Sequence, residues 1–211
     1  MKELYSESAA FTLKSVLAGM SVSLGCIAYM MSESKVFGAL LFSIGLFVIC
    51  SRDLYLYTGK ICLLFQLKRN YRIALVPIWI FNFVGAYLMA MIVLKTRLSG
   101  LLQTAAINIV YTKSQDTLLS LFFLGMLCGI CIFISTASYT LTDRNTAITG
   151  LIFGVVIFVF CGFEHCIADM FYITIAHMWT WNMFLRVLII TLGNSVGGLI
   201  FPFLEKIILK K

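Results

Sequence analysis

Charge is what this chain has least of. Only 12% of its 211 residues are Asp, Glu, Lys or Arg, against 61% hydrophobic, and the mean hydropathy is +1.00. A soluble domain of this length needs far more polar surface, so an all-α integral membrane protein is expected. Histidine is scarcer still: His165 and His177 are the two. Metal sites converge three or four ligands, so a metal set here would be thin, and no cofactor or metal is expected. No aromatic-plus-basic cluster or nucleic-acid motif accompanies the net charge of +7. The basic excess is therefore read as membrane flanks, with no nucleic-acid partner. The seven cysteines fall in or beside apolar runs, which argues for buried thiols over a disulfide framework. Cys128-Gly129-Ile130-Cys131 is a CxxC without a second pair. Paired Asn-Pro-Ala motifs are absent, and no polar stretch is long enough for a separate soluble domain. The first apolar run is long and shows no obvious small-residue cleavage site, so it is read as a span and not a signal.

What remains is a series of apolar runs. The first spans about Ala9 to Met31, and Val36 to Cys50 follows. At about 1.5 Å per residue the second run is too short to cross a bilayer. It stops at Ser51-Arg52-Asp53 and resumes over Ile61 to Leu67, which reads as one discontinuous helix. After the basic loop Lys68-Arg69-Asn70-Tyr71-Arg72 come a span from Ile73 to Leu94, a polar connection from Lys95 to Gln115, and a span from Thr117 to Ser138. Asp143-Arg144-Asn145 is a tight connection into a fifth run, and the sixth spans about Phe184 to Ile207. His177, Trp179 and Trp181 suggest an interfacial belt. Six spans put both termini on one side. Nine basic residues fall there (Lys2, Lys14, Lys68, Arg69, Arg72, Arg144, Lys206, Lys210, Lys211) and five opposite (Lys35, Lys95, Arg97, Lys113, Arg186). By the positive-inside rule the termini are expected in the cytoplasm, in a multi-pass inner- or plasma-membrane protein.

The fifth run carries the chemistry. Gly162-Phe163-Glu164-His165-Cys166-Ile167-Ala168-Asp169 places Glu, His and Asp inside an apolar stretch from Ala147 to Ile173. Ionisable groups at membrane depth normally face a cavity, a partner or a pathway. Gly162 marks a break in this helix too. The chain thus reads as one domain over 1–211 with two three-span halves, 9–95 and 114–210, each with its second span broken. Asn82-Phe83-Val84-Gly85 and Asn194-Ser195-Val196-Gly197 recur in the third span of each half. That is the inverted-repeat plan of many transport proteins, with the site at the broken helices.

Gly162-Phe163-Glu164-His165 with Met170-Phe171 resembles the signature of the formate/nitrite transporter family, which includes formate, nitrite and hydrosulfide channels. Leu56-Tyr57-Thr58-Gly59 resembles that family's second-helix break, Phe42 to Leu46 the half-helix before it, Gly125 to Cys128 its fourth helix, and Thr191 to Gly198 its last. The resemblance covers all six spans in order. It implies an aquaporin-like protomer, a homopentamer with a pore in each protomer, and passage of a small monovalent anion without enzymatic chemistry. It further implies that His165 is the central pore histidine, that Thr58 faces it, and that Lys113 draws anions. Phe42, Leu46, Leu56, Ile132 and Phe158 match apolar constriction positions. Three residues depart from the family pattern: Asp169 stands where Asn is frequent, Lys60 where a neutral residue is usual, and Gly129 where Asn is common.

Passing an anion through apolar constrictions carries a large desolvation cost. Positive potential from Lys113, Lys14 or Lys60 lowers it. Alternatively the anion takes up a proton and crosses as a neutral acid, with His165 as relay. Glu164 is expected to bond loop backbone, since adjacent helical residues point about 100° apart. Asn82 and Asn194 are expected to tie down the broken helices, with Glu164 and Asp169 in structural support. Lys60 is read as snorkelling or paired with an acid. A membrane-embedded enzyme or metal site on Glu164, His165, Cys166 and Asp169, and a neutral-solute pore, are the rival readings.

Overall fold

The protein was analysed as a computed structural model, which describes residues 2–65, 72–141 and 143–208. Lys68, Arg69, Asn70 and Tyr71 of the basic loop, and Lys210 and Lys211, lie outside the described residues. The chain is helical, and no strand occurs among the described residues. In order the helices are α1 (Lys2–Met30), α2 (Lys35–Ser51), α3 (Tyr57–Ile61), α4 (Leu75–Val93), α5 (Ser99–Gln115), α6 (Leu118–Leu141), α7 (Arg144–Cys161), α8 (Cys166–Ile175) and α9 (Trp181–Ile208). Among the described residues, five are long and apolar enough to cross a membrane, namely α1, α4, α6, α7 and α9; α2 and α8 are shorter. Large side chains such as Val76, Ile80, Phe153, Ile157 and Leu192 are exposed around the outside. In water that surface would be untenable, and in lipid it is the expected outer face.

Two tight helix pairs build the frame. In one, α1 lies against α4; in the other, α6 lies against α9. Lipid gives no hydrophobic driving force between helices, so close backbone approach at small residues does the holding. A Cβ on Gly85 would overlap the Val16 carbonyl, and one on Gly19 the Asn82 carbonyl. A Cβ on Gly197 would overlap the Met126 carbonyl, and one on Gly129 the Asn194 carbonyl. At Gly129, where the family resemblance leads one to expect Asn, this chain has no room for a side chain. Between the two frames α2 packs on α7, and α8 lies among α4, α5, α1 and α9.

Both breaks occur where the sequence places them, with shifted edges. After α2 the chain turns through Asp53, at φ 47°, and runs extended to Leu56. The second half-helix starts at Tyr57, not Ile61, and gives way to turns from Cys62 to Phe65. After α7, Gly162 adopts the left-handed conformation at φ 75°, a backbone that suits glycine, and α8 resumes at Cys166. Asp143 caps α7 by accepting from the Asn145 and Thr146 amides and, at 2.6 Å, from the Thr146 hydroxyl. Those bonds, the Thr146 hydroxyl foremost, hold its carboxyl below the usual range.

Four expectations need correction. The polar connection from Lys95 to Gln115 is a helix over most of its length, α5, with Leu102, Ala106 and Val110 buried on one face. Spacing of four puts those residues in one stripe, a pattern hidden by the polar residues between them. Consequently Lys113 sits inside the molecule and is not a flanking loop charge, and Arg186 donates to the Lys113 and Asp116 carbonyls at the end of α5. Cys161 is exposed, unlike the five buried cysteines. Trp179 turns inward, donating to Thr174 and packing on Phe83, so of the expected belt His177 and Trp181 stay outward.

Gly197→Ala is expected to lower the melting temperature of detergent-purified protein, because overpacking costs about 1–3 kcal/mol and here the obstruction is backbone. Gly100→Ala, in the first turn of α5 with nothing within 4 Å, should instead be neutral or gain up to about 0.8–1 kcal/mol from helix propensity. Paired melting curves separate the two, and equal shifts would remove the close-contact argument.

Candidate functional site

Each broken helix leaves backbone polar groups exposed at membrane depth, where no water satisfies them. Two asparagines supply the partners. Asn82 of α4 accepts from the Tyr57 amide at 2.8 Å and donates to the Tyr55 and Ser15 carbonyls at 2.8 and 2.7 Å. Asn194 of α9 accepts from the Cys166 amide at 3.0 Å and donates to the Glu164 and Gly125 carbonyls at 2.7 and 2.8 Å. The two sets correspond bond for bond. Each asparagine holds the first amide of the resumed half-helix, a carbonyl two residues earlier, and a carbonyl of the neighbouring long helix. Each carboxamide thereby uses one acceptor and both donor hydrogens.

The symmetry breaks at the residue before each half-helix. Before α3 it is Leu56, which makes no side-chain cap; before α8 it is His165. His165 Nδ1 accepts from the Ala168 amide at 3.2 Å. An accepting Nδ1 carries no hydrogen, so the neutral ring bears its proton on Nε2. Nε2 lies 3.0 Å from Thr58 Oγ1, one residue into α3 from Tyr57. The imidazole therefore donates to the hydroxyl, and the hydroxyl's own hydrogen remains to be given. Thr58 and His165 are both buried.

Two cavities lie near this pair: one touches His165, and the other touches Leu56 and Gly59, which flank Tyr57 and Thr58 in the chain. One, about 100 Å³, is lined by His165, Phe42, Phe158, Lys113 and Asp169, with Tyr29 and Tyr172. The other, about 410 Å³, is lined by Leu46, Leu56, Asp53, Lys60 and Thr136, among others. Phe42 and Phe158 meet edge to face at 5.6 Å between ring centres, and Phe158 stacks on His165 at 5.8 Å. Thus Phe42 and Phe158 sit toward the smaller cavity, and Leu46 and Leu56 toward the larger. Ile132 is buried in the surrounding core and lines neither cavity.

Beside His165 lies a buried charge cluster. Lys113 Nζ contacts Glu164 Oε2 and lies 2.9 Å from Asp169 Oδ1. The Glu164 carboxylate is thus committed to Lys113, not to loop backbone as expected; it is the Glu164 carbonyl that Asn194 holds. Lys113 also fills the space between the two carboxylates where the rival metal reading would place an ion. At the larger cavity Asp53 pairs with Lys14 at 3.0 Å and Lys60 at 3.5 Å, and both ammonium groups lie over the Tyr55 ring. Pairs as exposed as these contribute little to stability.

Sequence reasoning missed Tyr29, Tyr172 and the helical placement of Lys113. Tyr172 stands three residues after Asp169, so the shared helix face was available as a signal. Tyr29 comes from α1, and nothing local pointed to it.

Replacing Asn194 with Leu strands one buried amide and two carbonyls. At about 1–3 kcal/mol for each unsatisfied group, the expected result is protein that is not recovered in monodisperse form. Thr191→Val, on the same helix, loses a hydroxyl bonded to Val187 and Trp79 and serves as the mild control. Size-exclusion profiles and melting curves compare them.

Comparison with known proteins agrees with this architecture. A family model described as formate/nitrite transporter matches residues 1–207. A probable formate transporter of Methanothermobacter thermautotrophicus is 29% identical, the match covering 79% of this chain and 71% of that protein. The formate channel FocA of Haemophilus influenzae is 27% identical, with coverage of 89% and 82%. Among solved structures, a pentameric formate channel with formate bound superposes with a TM-score of 0.83 at 22% identity, covering 97% of this chain and 98% of that one. An FNT family ion channel gives 0.84 at 20% identity, covering 97% and 92%. With a match running almost from end to end, the chain belongs to the formate/nitrite transporter family, a family of membrane channels and transporters and not of enzymes.

Proposed function

We propose that this protein passes small monovalent weak-acid anions across a membrane, formate first among them, with nitrite and hydrosulfide as chemically similar candidates. The route runs within the protomer, from the cavity at Lys113 past Phe42 and Phe158 to His165 and Thr58, then past Leu56 and Leu46. One observation carries this reading: a buried His–Thr pair held at the meeting of two broken helices, with one cavity touching His165 and a second touching Leu56 and Gly59 around Thr58. Transport sites at such breaks are a recurring design. Ile132 is kept in the proposed set only as the residue backing this constriction. The similarity to a pentameric formate channel supports a homopentamer, with the exposed apolar faces shared between lipid and neighbouring protomers. The balance of basic residues supports an inner-membrane location with both termini in the cytoplasm.

The chemistry follows from the hydrogen bonds. With Nε2–H given to Thr58, the Thr58 hydroxyl is oriented to donate, and an anion in the constriction is its natural acceptor. Lys113 offers positive potential at the cavity, tempered by its two carboxylate partners. A relay through this ring would use Nε2, the nitrogen facing Thr58, while Nδ1 keeps α8 capped. Phe42 and Phe158 close the path to hydrated ions of larger size. Asn82, Asn194 and the Glu164 backbone keep the two half-helices in register, so that Thr58 and His165 meet.

The deciding experiment is a proteoliposome flux panel of formate, nitrite, hydrosulfide, lactate and chloride at two pH values. Formate, nitrite or hydrosulfide should pass much faster than chloride; equal rates for all five, or none, would sink the proposal. Thr58→Val keeps the side-chain shape and deletes the donor. A lost hydrogen bond to a charged group is worth about 1.5–3 kcal/mol, so formate flux should fall about tenfold or more. His165→Asn should change the pH dependence of flux and leave oligomer assembly intact. An unaltered flux–pH profile would remove His165 from the mechanism.

A further inference from the structure

The lysines at the larger cavity already hold a carboxylate, and it belongs to the protein. Lys14 comes from α1 and Lys60 from α3, and their ammonium groups lie 5.0 and 4.9 Å from the centre of the Tyr55 ring. Two like charges converging on one ring repel each other, and its electron-rich face offsets part of that repulsion. An anion between them removes the conflict. Asp53 supplies it: Oδ2 lies 3.0 Å from Lys14 Nζ, and Oδ1 lies 3.5 Å from Lys60 Nζ. Each oxygen of one carboxylate thus takes one ammonium group, as the two oxygens of a free carboxylate would in the same place.

The surroundings mark Asp53 as a removable occupant. Its side chain is 70% exposed, against 36% for Lys14 and 28% for Lys60, so the acid is the partner nearest to water. Pairs this exposed are held weakly. Asp53 also stands in the turn after α2, so its carboxylate can swing into water with no helical hydrogen bond broken. Asp53 and Lys60 line the 410 Å³ cavity together with Leu56 and Gly59, which gives a free ion access to the Lys60 ammonium group. Glu205 of α9 is a second acid on the cavity wall, and it pairs with neither lysine. Lys60 follows Thr58 by two residues on α3 and stands where the family resemblance leads one to expect a neutral residue.

We infer that Lys14, Lys60 and Tyr55 form a second anion site at the larger cavity, and that Asp53 occupies it until a carboxylate or nitrite ion takes its place. The inference rests on the transport reading above. No covalent bond changes in the exchange. Asp53 Oδ1 and Oδ2 release the two ammonium groups, and the two oxygens of the incoming ion accept from them instead. When the ion moves on, Asp53 returns, so the lysines neither stand bare nor trap the ion. The match also sets a preference. Formate and nitrite carry two oxygens on one central atom, as the Asp53 carboxylate does. Hydrosulfide presents a single sulfur and fits the two ammonium groups less well.

The test uses full-length protein. In nanodiscs, saturation-transfer NMR on the formate C–H proton reports binding without any need for transport. In proteoliposomes, initial flux against anion concentration gives the half-saturation. Lys60→Met keeps the apolar stem and removes the charge, so formate affinity should fall about fivefold in both assays, the upper end for an exposed ion pair. Asp53→Asn removes the resident carboxylate and should raise formate affinity about threefold. Opposite signs are the signature, because a purely structural clamp is weakened by either substitution and shifts both the same way. Shifts in one direction, or no shift while formate still crosses, overturn the inference and leave the transport reading intact. Glu205→Gln deletes an equal charge from the same cavity and frees no lysine, so it should move formate affinity less than Asp53→Asn does. An equal shift would assign the effect to the general field of the cavity and overturn the exchange. Nitrite half-saturation should follow the formate pattern and that of hydrosulfide should barely move; equal shifts for hydrosulfide also overturn it. Binding that responds with opposite signs in nanodiscs, while no anion crosses in proteoliposomes, would defeat the transport reading and leave the site standing.

Discussion

The whole arrangement depends on two carboxamides. A helix interrupted inside a membrane leaves amides and carbonyls that neither water nor the next turn can satisfy. Asn82 and Asn194 meet that demand with three hydrogen bonds each, and each bond set reaches a neighbouring long helix as well as the break. The glycines at the α1–α4 and α6–α9 contacts bring the long helices near enough for this reach. Without the close packing the carboxamides would fall short. Without the carboxamides the interruptions would have no stable geometry.

Once the breaks are secured, the difference between the two halves acquires meaning. The same structural position is Leu56 in one half and His165 in the other. That single asymmetry puts an imidazole against the Thr58 hydroxyl, with Phe158 stacked on its ring. The Ala168 amide selects the tautomer, and through it the direction in which the hydroxyl can donate. Local capping of α8 and the chemistry proposed for the site are therefore one feature viewed at two scales.

The charges obey a similar economy. Arg186 holds the end of α5, which fixes where Lys113 emerges. Lys113 in turn joins Glu164 at the break to Asp169 one turn into α8. The cluster sits beside the smaller cavity, while Asp53, Lys14 and Lys60 stand at the larger one. Both cavities are thus bordered by charge.

By itself the sequence determined the membrane setting, the long apolar helices and the two interruptions. Those follow from hydropathy over windows of bilayer length and from local residues such as Gly162, which sampling one segment at a time can reveal. It also marked His165, Glu164 and Asp169, because ionisable groups are conspicuous in an apolar run. Tertiary structure alone decided what those groups touch. The helical form of α5 was masked by its polar face, and only packing against α8 turned Lys113 inward to claim Glu164. The meeting of Tyr29 and Tyr172 at the smaller cavity likewise depends on contacts between segments far apart in the chain. Hydropathy and helix breaks are properties of neighbours along the backbone, whereas an ion pair or a cavity is set by which helices approach closely enough to share it.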